Sequence, residues 1–445
     1  MTQVVVSPNC ERWKLEDLAK NAIVALTLQL LGIALTYVVE VFLAQWMGKT
    51  QYGIYIYVIS WSLLLAIPAG LGLPSTVLRF MSEYKVQENW GYLRGIVRGS
   101  LQVTLVASLF VCLGYTGGIF LLTNLGRLTY LTVPLLIGVS MIPLQALVKL
   151  QLDLARAIDD IVLAYAPSRV IWPILVFLSG WVLLGTHHSL SSSLMIAVAS
   201  FMLSATILCQ FCLLQGKIDS EIEPQAPVYS YREWLKVALS VLIQGGILDL
   251  LDRTDILMIG SLLGPAEAGI YAAAVKTSLW VAFVLQTINM VAAPVFAKLY
   301  AQKDLQGLQN IVSTVAIWIF WPSLAVAFLV FVFARPILGM FGSEFMVASW
   351  DLKVLILGQI VNALCGSVGN LMVMTGHQNK SIKVFAWSAV INIIGNAIAI
   401  PLWGRVGAAI TTSLTMIVWN IWLSVLVVKH IGIHTSIFYK PTPES

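Results

Sequence analysis

Predominantly apolar stretches of eighteen or more residues recur along almost the whole of this 445-residue chain. Each is long enough to cross the roughly 30 Å hydrocarbon core of a bilayer. No water reaches a backbone N–H or C=O there, so a spanning segment has to be a helix or a strand of a closed barrel. The runs lack the polar/apolar alternation of barrel strands. An all-α polytopic membrane protein is therefore expected. Composition closes the soluble alternative: 59% of residues are hydrophobic and 11% charged. A soluble domain carries about 25% charged residues, and this chain cannot surface even one.

No cleavable signal peptide is expected, because Glu11, Arg12, Lys14, Glu16 and Asp17 crowd the N-terminus and no small-residue cleavage site follows the first apolar run. Of the five cysteines, Cys209 and Cys212 have the spacing of a metal or redox pair but lack a second pair or a nearby histidine, so they read as packing residues. His187 and His188 have no acidic neighbours and suggest no metal site. The excess of lysine and arginine speaks for membrane orientation, not for nucleic acid.

The expected spans are 20–47, 52–78, 95–122, 129–150, 161–184, 190–214, 234–262, 267–296, 310–333, 348–374, 381–403 and 406–429. They group into a short N-terminal segment (1–19), a first six-helix bundle (20–214), a polar linker (215–233), a second bundle (234–429) and a tail (430–445). With the N-terminus inside, nineteen lysines and arginines fall on the inner side and four on the outer. That bias places both termini in the cytoplasm and the chain in a cell inner membrane.

The halves read as copies. At a shift of 216 positions, Gly48, Gly53, Ile54 and Tyr55 fall on Gly264, Gly269, Ile270 and Tyr271, and the register continues to Gly91 and Gly307. Each half has an even number of spans, so the repeats are expected to be parallel, with a site between them. Gly48 and Gly264 should end helices, and Pro265 suits the first turn of the next. Pro68, Gly70, Gly72 and Pro74 should interrupt span two, and Asn289 and Pro294 span eight; such breaks line substrate paths or merely kink a helix.

The turn Gly48–Tyr55, the segment "LGLPSTVLRFMSEY" with Arg79, and in the second half "DRTDILMIGSLLGPAEAGIYAAAVK" and "AAPVFAKLY" resemble the multidrug/oligosaccharidyl-lipid/polysaccharide (MOP) exporter superfamily. Within it the chain is most similar to polysaccharide-unit flippases of the O-antigen type. The resemblance runs from about residue 15 to 430. It implies two six-helix bundles around a central cavity and alternating access. It also implies undecaprenyl-diphosphate-type lipid-linked oligosaccharide as cargo, with polysaccharide polymerase and glycosyltransferases as partners. Lipid II flippases usually carry two further C-terminal spans, and their absence here counts against a peptidoglycan-precursor role.

Charges inside the spans single out a site. Asp249, Asp252, Arg253 and Asp255 lie within span seven, where each is costly and defaults to function. Asp249 and Arg253, four apart, are expected to pair. Lys276 in span eight and Glu40 in span one lie at a similar depth, giving a layer with a formal sum of −2. Either these groups neutralise one another as interhelical glue, or they line a wet cavity and hold a coupling proton or sodium ion or a sugar head group. Asp255 and Arg253 are expected to face that cavity. For a diphosphate the better donors are Arg79, Arg94, Arg98, Lys149, Arg156 and Arg169 at the cytoplasmic mouth, though positive-inside topology accounts for most of them.

Three functions compete: a lipid-linked oligosaccharide flippase, a cation-coupled exporter of drugs or metabolites, and a membrane-embedded polymerase or glycosyltransferase. The enzyme class needs a sizeable loop outside the bilayer. Here the outer connections are about a dozen residues or fewer, and Asp-x-Asp and His-rich motifs are missing. A transporter with no resident cofactor or metal is expected.

Overall fold

The computed structural model describes residues 15–126, 130–186, 190–221 and 223–435. Cys10, Arg12, Lys14, Arg127, His187, His188, Lys440 and the expected terminal segments up to residue 14 and from residue 436 lie outside the described residues. Every regular element described is helical. The first half comprises α1 (Leu15–Gly70), α2 (Leu73–Val86), α3 (Trp90–Asn124), α4 (Thr132–Gly138) and α5 (Met141–Ala157). It continues through α6 (Ile161–Ala166), a π-helical turn (Pro167–Ile171), α7 (Trp172–Thr186) and α8 (Ser192–Glu221). Residues 223–230, without regular structure, lead to α9 (Tyr231–Leu251), α10 (Thr254–Leu262), α11 (Pro265–Ala301) and α12 (Leu305–Val332). Last come α13 (Ala334–Gly339), a 3-10 turn (Ser343–Ala348), α14 (Ser349–Cys365), α15 (Val368–Met374) and α16 (Gln378–Ile431).

Ten helical runs among the described residues are long and apolar enough to cross a membrane, against twelve spans expected. Two of the ten are too long for one crossing. The 56 residues of α1 would extend about 84 Å at 1.5 Å per residue. Each of these two runs holds a glycine with non-helical backbone where a span boundary was expected: Gly48 (φ 69°) in α1 and Gly404 (φ 61°) in α16. Beyond Gly404 the chain folds back, since Asn392 donates to Thr412, twenty residues on, at 3.5 Å. Gly264 (φ 101°) likewise reverses α10 into α11.

The first helical hairpin of each half crosses the other near the glycine turns at 48 and 264. A Cβ on Gly53 would run into the carbonyl of Pro265, and one on Gly269 would lie 2.6 Å from the Cα of Gly53 and 3.1 Å from the carbonyl oxygen of Lys49. Shifting by 216 turns the Gly53–Pro265 contact into the Gly269–Lys49 contact. The two halves thus meet with their equivalent residues exchanged, as a two-fold relation between repeats requires.

The break in span two lies where expected: Leu71 (φ 49°) and Gly72 (φ 72°) separate α1 from α2. Span eight is different. The helix α11 runs unbroken through Asn289 and Pro294, because a proline forfeits only its own amide bond and membrane helices absorb that loss. The matching interruption falls in span seven instead, between Asp252 and Thr254. Cys209 and Cys212 are exposed on α8, next to exposed Leu208 and Leu213, and do not pack as expected; that face of the helix points outward.

The core forks. Around the glycine turns one cluster joins both halves, with Leu43, Tyr52 and Tyr57 against Tyr271, Phe341 and Phe345. At the other end it splits in two. One branch lies in the first half and takes in Trp234 and Ala238 of α9; the other is built from α11, α12, α15 and α16 around Phe296, Leu308 and Leu371. Large apolar side chains such as Phe110, Leu113, Trp321 and Phe328 face outward, as a lipid solvent permits.

Candidate functional site

Two adjoining cavities lie at the forked end, both lined by α2 and α9 and sharing Val241. The outer, of about 570 Å³, is also lined by the start of α16 and presents Arg79, Glu83, Glu233, Lys236, Ser240 and Asn379. The inner, of about 200 Å³, lies where α1 breaks into α2, against α5 and α9, and presents Lys149, Asp153 and Asp249. Helical spacing explains the path. Ser75, Arg79 and Glu83 recur every four residues along α2, while Glu233, Val237, Val241, Gly245 and Asp249 do so along α9. Gly72 lets α2 start against α9, for a Cβ there would strike the carbonyl of Ala238.

At the turn end the halves are in contact. Lys49 pairs with Glu344 at 2.9 Å, and the Gln45 amide donates to the Met340 carbonyl at 2.6 Å. Tyr37 and Tyr52 meet Phe341 and Phe345 edge-on, with ring centroids 5.5 and 5.8 Å apart.

The expected charge layer is distributed over separate sites. Asp249 does not pair with Arg253. The helix α9 ends at Asp252, and the backbone of Arg253 (φ −126°) is no longer helical, so the four-residue spacing ceases to bring them face to face. Asp249 instead takes Lys149 of α5 at 2.5 Å. Asp252 is exposed beside it, and the buried Nε of Arg253 has no hydrogen-bond partner among the described residues. Lys276 does not neutralise the aspartates either; it pairs with Glu40 of α1, next to a Tyr37–Thr277 hydroxyl contact at 3.1 Å. Both pairs, like Lys49–Glu344, tie one half to the other.

Asp255 does not face the cavity between the halves. It is 3% exposed inside the second half, and its carboxylate accepts from the Tyr271 hydroxyl at 2.8 Å, from Thr412 at 3.3 Å and from the Ile256 amide at 2.9 Å. A polar chain leads onward: Asn392 donates to Thr412 and Asn396 to Asn392, leaving the buried Asn396 Oδ1 unpartnered among the described residues. Sequence reading missed this chain. The signal was present as two asparagines four apart in an apolar span and a Thr-Thr pair in the next.

Of the six candidate diphosphate donors, Arg79 and Lys149 line the cavities. Arg94 and Arg156 are engaged by Asp219 and Asp153 at 3.2 and 2.9 Å. Neither these two nor Arg98 and Arg169 are among the lining residues. Lys149 was legible only as one of several inner cations. The Gln145, Lys149, Asp153 stripe on one face of α5 was the cue that it points inward.

Residues 18–300 match the family model described as polysaccharide biosynthesis protein, and residues 247–398 match MatE. The chain is similar to the "Probable low-salt glycan biosynthesis flippase Agl15" of Haloferax volcanii, at 23% identity over 416 residues, 90% of this chain and 82% of that one. Among solved structures it resembles the lipid II flippase MurJ in an inward closed conformation: TM-score 0.71, 16% identity, 91% of this chain and 87% of that one. A multidrug resistance MATE family transporter of the MOP superfamily, facing inward, is similar at TM-score 0.68 and 14% identity over 92% and 98% of the two chains. At such identities the structural likeness is one of fold.

Proposed function

The chain belongs to the polysaccharide biosynthesis protein family and, with it, to the MOP exporter superfamily. On that premise we propose that it is a flippase that moves lipid-linked oligosaccharide, the repeat unit of a polysaccharide, across the cell inner membrane by alternating access. The observation that carries this reading is the cavity pair between the halves. It offers Arg79 and Lys236 at the mouth and Lys149 deeper in, while the halves touch at the turn end. A diphosphate needs such donors, and the polar mouth suits sugar hydroxyls. The similarity to a probable glycan biosynthesis flippase and to a lipid II flippase supports the same cargo class.

In this reading the bundles 20–214 and 234–429 are the moving bodies, joined by the linker 215–233, and the chain crosses twelve times with both termini cytoplasmic. The cargo is an undecaprenyl-diphosphate-type glycolipid, and polymerase and glycosyltransferases are the functional neighbours. The chain is a carrier and not itself a glycosyltransferase or polymerase. A coupling proton or sodium ion binds at Asp255, whose carboxylate is the acid at the head of the polar chain through Thr412 and Asn392 to Asn396. The second reading, a cation-coupled drug or metabolite exporter, is favoured by the MatE match over 247–398.

Purified protein in vesicles, given a fluorescent undecaprenyl-diphosphate oligosaccharide and, separately, cationic dyes, separates the two. Translocation of the glycolipid and not of the dyes is the expected result. Dye export without glycolipid movement would replace the flippase reading by the exporter.

A further inference from the structure

Among the described residues, Lys149 is the one lysine or arginine lining the inner cavity. Its ammonium lies 2.5 Å from the carboxylate of Asp249. The other acid on that wall, Asp153, is already engaged by Arg156 at 2.9 Å. The Lys149–Asp249 pair is not sealed into a core: the two side chains are 42% and 30% exposed, and both line the cavity. Lys149 belongs to α5 in the first half and Asp249 to α9 in the second, so the pair also fastens the halves together beside the substrate path.

We propose that Asp249 is a built-in stand-in for the anionic group of the cargo: it holds Lys149 until a prenyl diphosphate takes that lysine, and then releases it. The chemistry favours such an exchange. A diphosphate brings more than one negative charge and several acceptor oxygens to an ammonium, where a carboxylate brings one charge. The displaced carboxylate is not stranded in a low-dielectric interior, because it is 30% exposed and faces the cavity. Breaking the pair unfastens α5 from α9. Arrival of the cargo thereby loosens a tie between the halves, and loading is linked to motion. The inference rests on the flippase reading for its ligand class and is tested by binding, apart from transport.

The experiment uses the full chain in nanodiscs, with farnesyl diphosphate as probe and farnesol as control, read by intrinsic tryptophan fluorescence. Asp249→Asn removes the competitor and should bind the diphosphate about tenfold more tightly than wild type. Lys149→Gln should bind it about tenfold more weakly, and the double variant should follow Lys149→Gln. Asp249→Ser serves as a second neutral variant, with thermal melting as the folding control. Equal affinity of wild type and both folded Asp249 variants overturns the exchange, as does undiminished binding by Lys149→Gln. If Asp249→Asn gains affinity but the wild type flips no glycolipid in vesicles, the flippase reading fails and the exchange stands.

Discussion

Asp255 shows how a single residue can be conspicuous in the sequence while its surroundings stay hidden. An acid inside an apolar span is costly, and that alone marked it. Its partners Tyr271 and Thr412 lie 16 and 157 positions away, and no local pattern announces them. They place the carboxylate inside the second half, away from the cavity where it was expected. Asp255→Asn keeps the volume and removes the charge. The variant is expected to fold and insert, to retain glycolipid binding, and to lose the dependence of transport on an imposed proton or sodium gradient. Transport that still responds fully to both gradients would remove Asp255 from the coupling role. Arg253 gives the complementary lesson: its spacing from Asp249 promised an ion pair, and the end of α9 at Asp252 cancelled the helical geometry on which that promise depended.

At the scale of elements, the turns were the readable part. Glycine with positive φ at 48, 264 and 404 reverses or breaks helices at expected span boundaries, and the Pro68–Pro74 segment breaks span two. Pro294 was misread because proline composition does not say whether neighbouring helices absorb the lost bond. The crossing of the hairpins at Gly53 and Gly269 gives a direct test of the repeat relation. An alanine at either position overpacks a backbone contact, which costs about 1–3 kcal/mol. Because the two contacts are exchange-equivalent, Gly53→Ala and Gly269→Ala should lower the melting temperature in detergent by similar amounts, while Gly117→Ala, with open space around it, should not. A loop provides a pH test. Burial raises the Asp160 carboxyl, but the Lys217 ammonium and the Leu163 amide, which it caps at the start of α6, outweigh burial and hold its pKa below the usual 3.8. A lowered carboxyl stabilises the fold above its unfolded-state pKa, and that stabilisation fades as pH falls through the folded value. Asp160→Ala should therefore melt below wild type at neutral pH, by about 1 kcal/mol as for a lost helix cap, with the gap narrowing below pH 3.8. A gap that is unchanged in acid would argue that the cap geometry alone matters.

For the whole molecule, the forked core is the feature that ties fold to transport. One cluster joins the halves at the turn end and two separate clusters lie at the other, where both described cavities are found. A site between the repeats was readable beforehand, but not at which end the core would fork. Apolar periodicity says that a helix buries a face, but it does not say whether the face meets its own bundle or the opposite one. If the halves rock against each other, the contacts at the turn end must part in every cycle, and Lys49–Glu344 is the exposed charged pair among them. In a background with the native cysteines replaced by serine, Lys49→Cys and Glu344→Cys are joined by a short, cleavable thiol cross-linker. Glycolipid translocation in vesicles should then drop to a few per cent of the unlinked protein and return when the linker is cut. Asp160→Cys with Lys217→Cys is the control, since that pair lies within the first half and its linkage leaves the halves free to separate. Unimpaired translocation with Lys49 and Glu344 positions linked would mean that the turn end never opens, and the cargo would need a route that alternating access does not provide. A block by the control linkage as well would shift the motion from between the halves to within the first of them.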